Sequence, residues 1–596
     1  MVFVKLHKYK ISGFIFFLFF LTLLSLNCGE AYTEKSNTSD VCFWEKLKSE
    51  SRYWVDSVYN SLTLEERIAQ LFWIAVENPT NATAFRRAIS ETETYQPGGI
   101  LLFRMSPETA LEVIDEFQKV SNTPLFVSID GEWGLAMRFP GVEPYPFAMT
   151  LGAIHNDSLI YRMGRKMAHQ FRLCGIHVNM APVADVNSNP ANPVIGFRSF
   201  GEDPKNVARK SIAYMQGLQD GGVMAVGKHF PGHGDTSTDS HKTLPLVAHS
   251  RQRLDSMEIY PFKRMIDEGL WAVMSAHIEI PELESEPGLP VSFSQKVLKD
   301  LLRDEMGFRG LVITDALNME GARVMGKPGE RDVLALSAGN DIVEFTEDLP
   351  AAIKAVKEAI KNETLSFEAI EDKCRRSLAF KYWLIERKSL DVDAIDDDSD
   401  SLMEMTSTEN ILELLNNEQV TELNRELYEA ALTLLRNEND VISWFENQQY
   451  EGAFVLLGEA PALLNKISNR FDCPVYQLPL NNPSLFSQRV RQLEKYQQKV
   501  IVISDTRWGS RAGNAIQLSE IGVLADENSV VFFLGNPYHL INYEVLTNAA
   551  GLIVAYQNNE QAQLAVINAL SGHINFSGRL PVSVGELFDA GDGIKR

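Results

Sequence analysis

From about residue 45 to residue 385, short apolar runs alternate with longer stretches of helical apolar spacing. Runs at 71–76, 99–104, 125–130, 176–182, 225–230, 272–277, 311–315 and 341–345 read as strands. Between most of them, segments such as 110–120, 159–174 and 207–220 place apolar residues three and four apart, the spacing that turns one helical face toward a core. Strands alternating with helices in this way predict a parallel sheet. Eight such units in roughly 300 residues predict a closed (β/α)8 barrel. Asp130, His229, His277 and Asp315 each end an apolar run, which puts them at the barrel face where active sites are built. Strands commonly end in polar residues, so one of these alone says little.

The pattern breaks at 386–420, where the run Asp396-Asp397-Asp398-Ser399-Asp400-Ser401 has no apolar period and reads as a solvated linker. A second α/β region, 421–596, follows. Its runs at 453–457, 475–480, 500–504, 530–534 and 552–556 predict an open α/β sandwich. A 596-residue chain accommodates two such domains.

The N-terminal 31 residues belong to neither. Lys5, Lys8 and Lys10 precede an apolar run at 11–26, then Asn27, Cys28, Gly29, Glu30 and Ala31. A basic start, a short apolar stretch and small residues fit a cleaved export signal. The run is slightly short of the roughly 18–20 residues of a spanning helix. Cys28 could instead be a lipidated first residue, the one membrane attachment the sequence suggests. The expected location is therefore periplasmic or extracellular, free or lipid-anchored. The formal net charge is −23. So acidic a surface argues against nucleic acid and anionic membranes as partners and is compatible with neutral carbohydrate. Cysteines at 28, 42, 174, 374 and 473 have no metal or redox spacing and read as small apolar residues.

The chemistry is densest at Lys228-His229-Phe230-Pro231-Gly232-His233-Gly234-Asp235-Thr236-Ser237-Thr238-Asp239-Ser240-His241. His229 and His233 are four apart, as zinc ligands on a helix would be. Pro231, Gly232 and Gly234 would break that helix. A plain solvated loop is a second reading. A Ser240–His241 nucleophile pair is disfavoured, since adjacent side chains rarely face each other. In the fourth reading this is a catalytic loop after a strand, with Asp239 accepting the His241 N–H and fixing its tautomer. Asp315, directly after the apolar run at 311–314, is poised at the barrel mouth or caps the next helix.

The stretch 228–245 resembles the signature of glycoside hydrolase family 3, in its β-N-acetylglucosaminidase branch: Lys-His-Phe-Pro-Gly-His-Gly followed by Asp-Ser-His. The similarity extends over Ser128-Ile129-Asp130-Gly131-Glu132, Ile195-Gly196-Phe197-Arg198-Ser199-Phe200-Gly201 and Ile313-Thr314-Asp315, with a weaker echo at Ser577-Gly578-Arg579-Leu580-Pro581-Val582. The resemblance implies a barrel followed by a second domain, and retaining, exo-acting cleavage of terminal β-linked N-acetylglucosamine. Asp315 would be the nucleophile, His241 the acid/base and Asp239 its partner, with no metal or cofactor. Asp130, Arg138, Arg198, Lys228 and His229 would hold the sugar. The sequence departs from the pattern at Glu132-Trp133-Gly134, where the usual form is Glu-Gly-Gly. Trp133 would either pack under the loop or narrow the sugar site.

Peptidoglycan fragments are the expected source of substrate. Three other readings stand beside it. Phosphorolysis is compatible with an imidazole acid/base, which does not repel phosphate. A β-glucosidase would draw its acid from a Glu in the second domain and lack Asp239-Ser240-His241. A sugar-binding protein without catalysis is disfavoured by the presence of both Asp315 and His241.

Overall fold

The computed structural model describes residues 37–386, 411–446, 450–471, 473–511 and 514–596. The leader with Cys28 and the acidic run at 396–401 lie outside the described residues.

Eight strands form the first sheet: β1 (Phe72–Val76), β2 (Gly99–Leu102), β3 (Phe126–Ile129), β4 (Val178–Asn179), β5 (Met224–Phe230), β6 (Ala272–Ser275), β7 (Leu311–Thr314) and β8 (Val343–Glu344). All pair in parallel in the order β7-β6-β5-β4-β3-β2-β1-β8. A parallel bridge between Ile313 and Ile342 joins β7 to β8 and closes the barrel. The strands are buried almost throughout, as a sheet covered on both faces requires.

The covering helices Pro107–Lys119, Asp157–Leu173 and Pro204–Asp220 each begin a few residues before their apolar stripe. Their caps explain this. Ser106 accepts from the Thr109 N–H, and Asp203 accepts from those of Lys205 and Asn206. Pro107 and Pro204 follow these caps, in the first turn where no N–H is needed.

Helix Asn37–Ser61 packs against helix Phe367–Lys381. Phe43 stacks on Trp271 at 5.1 Å, and Trp44 meets Phe380 edge-on at 5.8 Å. Cys174 and Cys374 are buried free thiols, pushed up to about 12 by burial.

The expected linker is folded over its final part. Helices Ile411–Leu415 and Glu418–Ala431 bury Ile411 and Leu415, and Gln170 donates to the Leu415 carbonyl at 2.6 Å. Their apolar residues give them a core to join, which the acidic run lacks. The second sheet has the order β11-β10-β12-β13-β14-β9. Its strands are β9 (Thr433–Asn437), β10 (Ala453–Leu457), β11 (Val475–Gln477), β12 (Lys499–Ile503), β13 (Ser529–Phe533) and β14 (Gly551–Val554). Five are parallel, and β9 runs antiparallel at the edge. Helices pack on it as in an open α/β sandwich.

Two of the quoted sequence blocks meet where the domains touch. Glu202 N–H donates to the Pro581 carbonyl at 3.0 Å, and Arg579 N–H to that of Ala153 at 2.9 Å. A Cβ on Gly201 would stand 2.3 Å from the Pro581 oxygen, and φ there is +137°, so glycine is needed at this contact. Among the described residues no helix is long and apolar enough to cross a membrane.

Candidate active site

The C-terminal ends of the barrel strands surround a cavity of about 490 Å³. Asp130, Arg138, Arg198, Lys228, His229, His241 and Asp315 all line it. Among the described residues every lining position lies between 101 and 345, so the second domain contributes none.

Asp130 follows β3 directly and is the hub of one wall. Arg138 Nη2 donates to its Oδ2 at 2.6 Å, and Lys228 Nζ donates to Oδ1 at 2.9 Å. Lys228 also reaches Glu132 Oε1 at 3.0 Å. Glu132 in turn receives Arg198 through Nε at 3.0 Å and Nη2 at 2.7 Å. Burial pushes the Asp130 and Glu132 carboxyls up, but these cations outweigh it and hold both below the usual carboxylate range. Burial likewise disfavours the charged Lys228, and Asp130 and Glu132 raise it above its ordinary value. Lys228 thus stays charged, and these ion pairs fix it together with Arg138 and Arg198 on the cavity wall.

Lys228 and His229 are adjacent on β5 and both face the cavity, although successive strand residues should alternate. The register of β5 against β6 shifts between Gly227 and Phe230, so the regular alternation is interrupted there. Asp185, fully buried, holds His229 Nδ1 at 2.7 Å and accepts the His233 N–H at 2.7 Å.

Asp315 sits immediately after β7. Its N–H donates to the Ser275 carbonyl, and its Oδ1 accepts the Ala316 N–H at 2.8 Å. Burial raises its carboxyl. His229, His277, the Ala316 N–H and Lys228 act the other way, and the net position is below the ordinary value. An ionised carboxylate with one oxygen held by a backbone N–H leaves the other free to attack an electrophilic carbon. His277 does not line the cavity. Its Nε2 donates to the Ala316 carbonyl at 3.2 Å and its Nδ1 receives the Ser292 hydroxyl at 2.7 Å, so it braces the turn that carries Asp315.

The loop after β5 brings His241 to the rim. His241 Nδ1 donates to Asp239 Oδ1 at 2.9 Å, and the His241 N–H reaches the same oxygen at 2.9 Å. This leaves Nε2 for proton transfer. Burial raises the Asp239 carboxyl, but the hydrogen bonds and charge of His241 and the charge of Lys242 hold it below its ordinary value. Ser240 pairs not with His241 but with His233, whose Nε2 meets its Oγ at 2.9 Å. Burial lowers His233 to about 4, so this pair braces the loop as a neutral imidazole. Gly234 lets the loop lie on β4's extension: a Cβ there would stand 1.8 Å from the Val186 oxygen. Asp235 and His249 clasp the loop's outer end.

The model for the Glycosyl hydrolase family 3 N terminal domain matches residues 63–379. The chain belongs to glycosyl hydrolase family 3. It is therefore a glycoside hydrolase, and the matched span coincides with the barrel. A β-hexosaminidase of Nitrosomonas eutropha is 36% identical over 265 residues, covering 43% of this chain and 75% of that protein. One from Neisseria meningitidis serogroup C is 37% identical over 257 residues, covering 41% and 70%. The solved structure of a family 3 β-N-acetylglucosaminidase from Paenibacillus sp. str. FPU-7 aligns with a TM-score of 0.69 at 31% identity. It covers 87% of this chain and 99% of that one, both domains included.

Trp133, where this family 3 chain departs from the expected pattern, does not line the cavity. It packs edge-on to Phe147 at 4.9 Å and faces a crevice between the two domains. Sequence reasoning missed Asp185 and Glu344. Asp185 lies past the end of its strand, beyond Pro182, and nothing in the local pattern marks it. Glu344 is a buried carboxyl in the middle of an apolar run, and that anomaly was itself the available signal.

Proposed function

We propose that this enzyme removes terminal, non-reducing β-linked N-acetylglucosamine by double displacement. The observation that carries the reading is the meeting of Asp315 and His241, from two separate strand-end loops, in one cavity walled by Asp130, Arg138, Arg198, Lys228 and His229. The β-hexosaminidase relatives and the β-N-acetylglucosaminidase structure support the choice of sugar.

In the first step Asp315 attacks the anomeric carbon while His241 passes its Nε2 proton to the departing glycosidic oxygen. In the second, neutral His241 takes a proton from water, whose oxygen displaces Asp315 and restores the β configuration. Asp239 holds the imidazole tautomer and stabilises its charged form. The fixed donors around Asp130 orient the ring. A cavity lined only by barrel residues supports an acid from the loop after β5 rather than a Glu from the second domain.

We read the natural substrate as peptidoglycan fragments met outside the cytoplasm; the basic-then-apolar leader supports export. The test is a panel of 4-nitrophenyl β-glycosides, with NMR of the first-formed sugar. The N-acetylglucosaminide should be preferred, and the β-anomer should appear first. A better specificity constant on the glucoside overturns the sugar assignment. An imidazole acid/base also admits phosphate as acceptor. The sugar 1-phosphate formed in phosphate buffer would mark the enzyme as a phosphorylase.

A further inference from the structure

Glu344, on β8, lines the cavity and is 3% exposed. Its backbone is engaged, with the N–H donating to Thr314 Oγ1 at 2.9 Å. Its side chain has no hydrogen-bond or ion-pair partner among the described residues, and Oε1 is fully enclosed without one. Arg138 Nε, on the same cavity, is the other enclosed and unpartnered polar atom there. Buried polar atoms almost always have partners. Both atoms are closed off by protein, so the group left to meet a ligand is the second Glu344 oxygen, Oε2, which has no protein partner either and is not enclosed.

We infer that Glu344 is a further substrate-binding residue, whose carboxyl hydrogen-bonds a ring hydroxyl of the bound glycoside. This rests on the reading that the cavity holds a sugar ring. The charges around it decide which kind of bond is made. The cavity already contains three carboxylates, Asp130, Glu132 and Asp315, against three cations, Arg138, Arg198 and Lys228. A fourth negative charge would be unbalanced in a desolvated site.

Asp130 and Arg138 face Glu344 from the loop after β3, Lys228 from β5 and Asp315 from the end of β7. His229, His233 and His241 line the same cavity, and from the β2 side come the uncharged Leu101 and Phe103. Burial first, then Asp130 and Asp315, push the Glu344 carboxyl well above the usual range, outweighing Lys228 and Arg138. Glu344 is therefore a neutral acid and can donate, as neutral carboxyls in apolar sites do. A sugar hydroxyl both donates and accepts. Asp130 is an acceptor whose lone pairs attract the hydroxyl proton, and Glu344 supplies the complementary donor.

The probe is 4-nitrophenyl 1-thio-β-N-acetylglucosaminide, which resists cleavage. It is titrated calorimetrically into full-length wild type, Glu344→Gln and Glu344→Leu. Loss of one hydrogen bond to a hydroxyl in a dry site should weaken Glu344→Leu roughly 10- to 100-fold. Glu344→Gln keeps a donor of the same size and should stay within about threefold of wild type. Wild-type affinity should fall on the alkaline side as Glu344 ionises, while that of Glu344→Gln should not follow. The melting temperature of Glu344→Leu should equal or exceed that of wild type, because the carboxyl satisfies nothing in the empty protein. Glu344→Leu binding as tightly as wild type would overturn the proposal, and so would Glu344→Gln binding as weakly as Glu344→Leu. If wild type binds no N-acetylglucosaminide, the sugar assignment fails by itself. The three proteins are then compared with the thioglycoside of the sugar preferred on the aryl panel.

Discussion

The barrel buries charge at both ends, and the two ends treat it differently. At the N-terminal end, Asp341 is fully enclosed and saturated: Arg303 and Arg376 each hold an oxygen, and the Val312 N–H donates to Oδ2 at 2.8 Å. Arg303 also ties the carbonyls of Phe308 and Gly310 just before β7. At the C-terminal end, Asp315 has one backbone donor, and Glu344 Oε1 and Arg138 Nε have none. A charge network that closes on itself fastens elements together. A network with open valences waits for a ligand, and the fold tolerates the cost because the rest of the barrel is well packed.

This contrast is sharpest in a pair of alanine substitutions. Asp315→Ala should lower turnover by several orders of magnitude with the melting temperature unchanged or raised. Asp341→Ala should do the reverse. It leaves Arg303 and Arg376 facing an uncompensated site, at a cost of about 3–5 kcal/mol in denaturant unfolding, while the folded fraction keeps its specific activity. Equal activity losses in the two variants would dissolve the distinction.

A smaller effect separates the acid/base from its loop. A nitrophenolate leaves without much help, whereas a sugar alkoxide needs a proton. His241→Ala should therefore lose far more on disaccharides than on activated aryl glycosides, and the dependence of kcat/KM on leaving-group pKa should steepen. Asp239→Asn should shift the same slope more mildly. An unchanged slope would remove His241 from acid catalysis and leave the pair a loop brace.

The smallest expected effect is at the closed end. Lys381 is fully buried against Gln70 Oε1 at 2.6 Å, and burial lowers it to about 7. Below that pH the folded chain must carry the charge. Between it and the ordinary lysine value of roughly 10.4, the unfolded chain binds the extra proton, so stability rises with pH. Lys381→Met should be more stable than wild type at pH 6, with a margin that shrinks by pH 9 in parallel thermal melts. A margin independent of pH would mean that Lys381 keeps its proton in the folded chain as in the unfolded one, so that burial has not lowered it.

The periodic parts of the fold were legible in the sequence. All eight barrel strands fall within one or two residues of their apolar runs at one end or the other, because buried parallel strands are nearly continuous apolar segments. Strand β9 was not legible. Only Leu432 separates it from helix Glu418–Ala431, and no Gly or Pro marks the change. The seven motif residues expected at the cavity do reach it, with Asp239 behind His241, since strand-end positions on a barrel converge by topology. Asp185 and Glu344 needed coordinates. The importance of each lies in what it faces across the barrel rather than in its neighbours along the chain. The direction taken by Trp133 was likewise undetermined until the Phe147 side chain was placed.

The proposed mechanism turns on a covalent bond between Asp315 and the sugar. A fluorinated N-acetylglucosaminyl donor with slow second-step turnover should trap that species, and peptide mapping by mass spectrometry locates it. One added glycosyl mass should appear on the peptide containing Asp315, be absent from Asp315→Ala and be chased off by an acceptor alcohol. A label on any other residue, or an α-configured first product with no label, would contradict it.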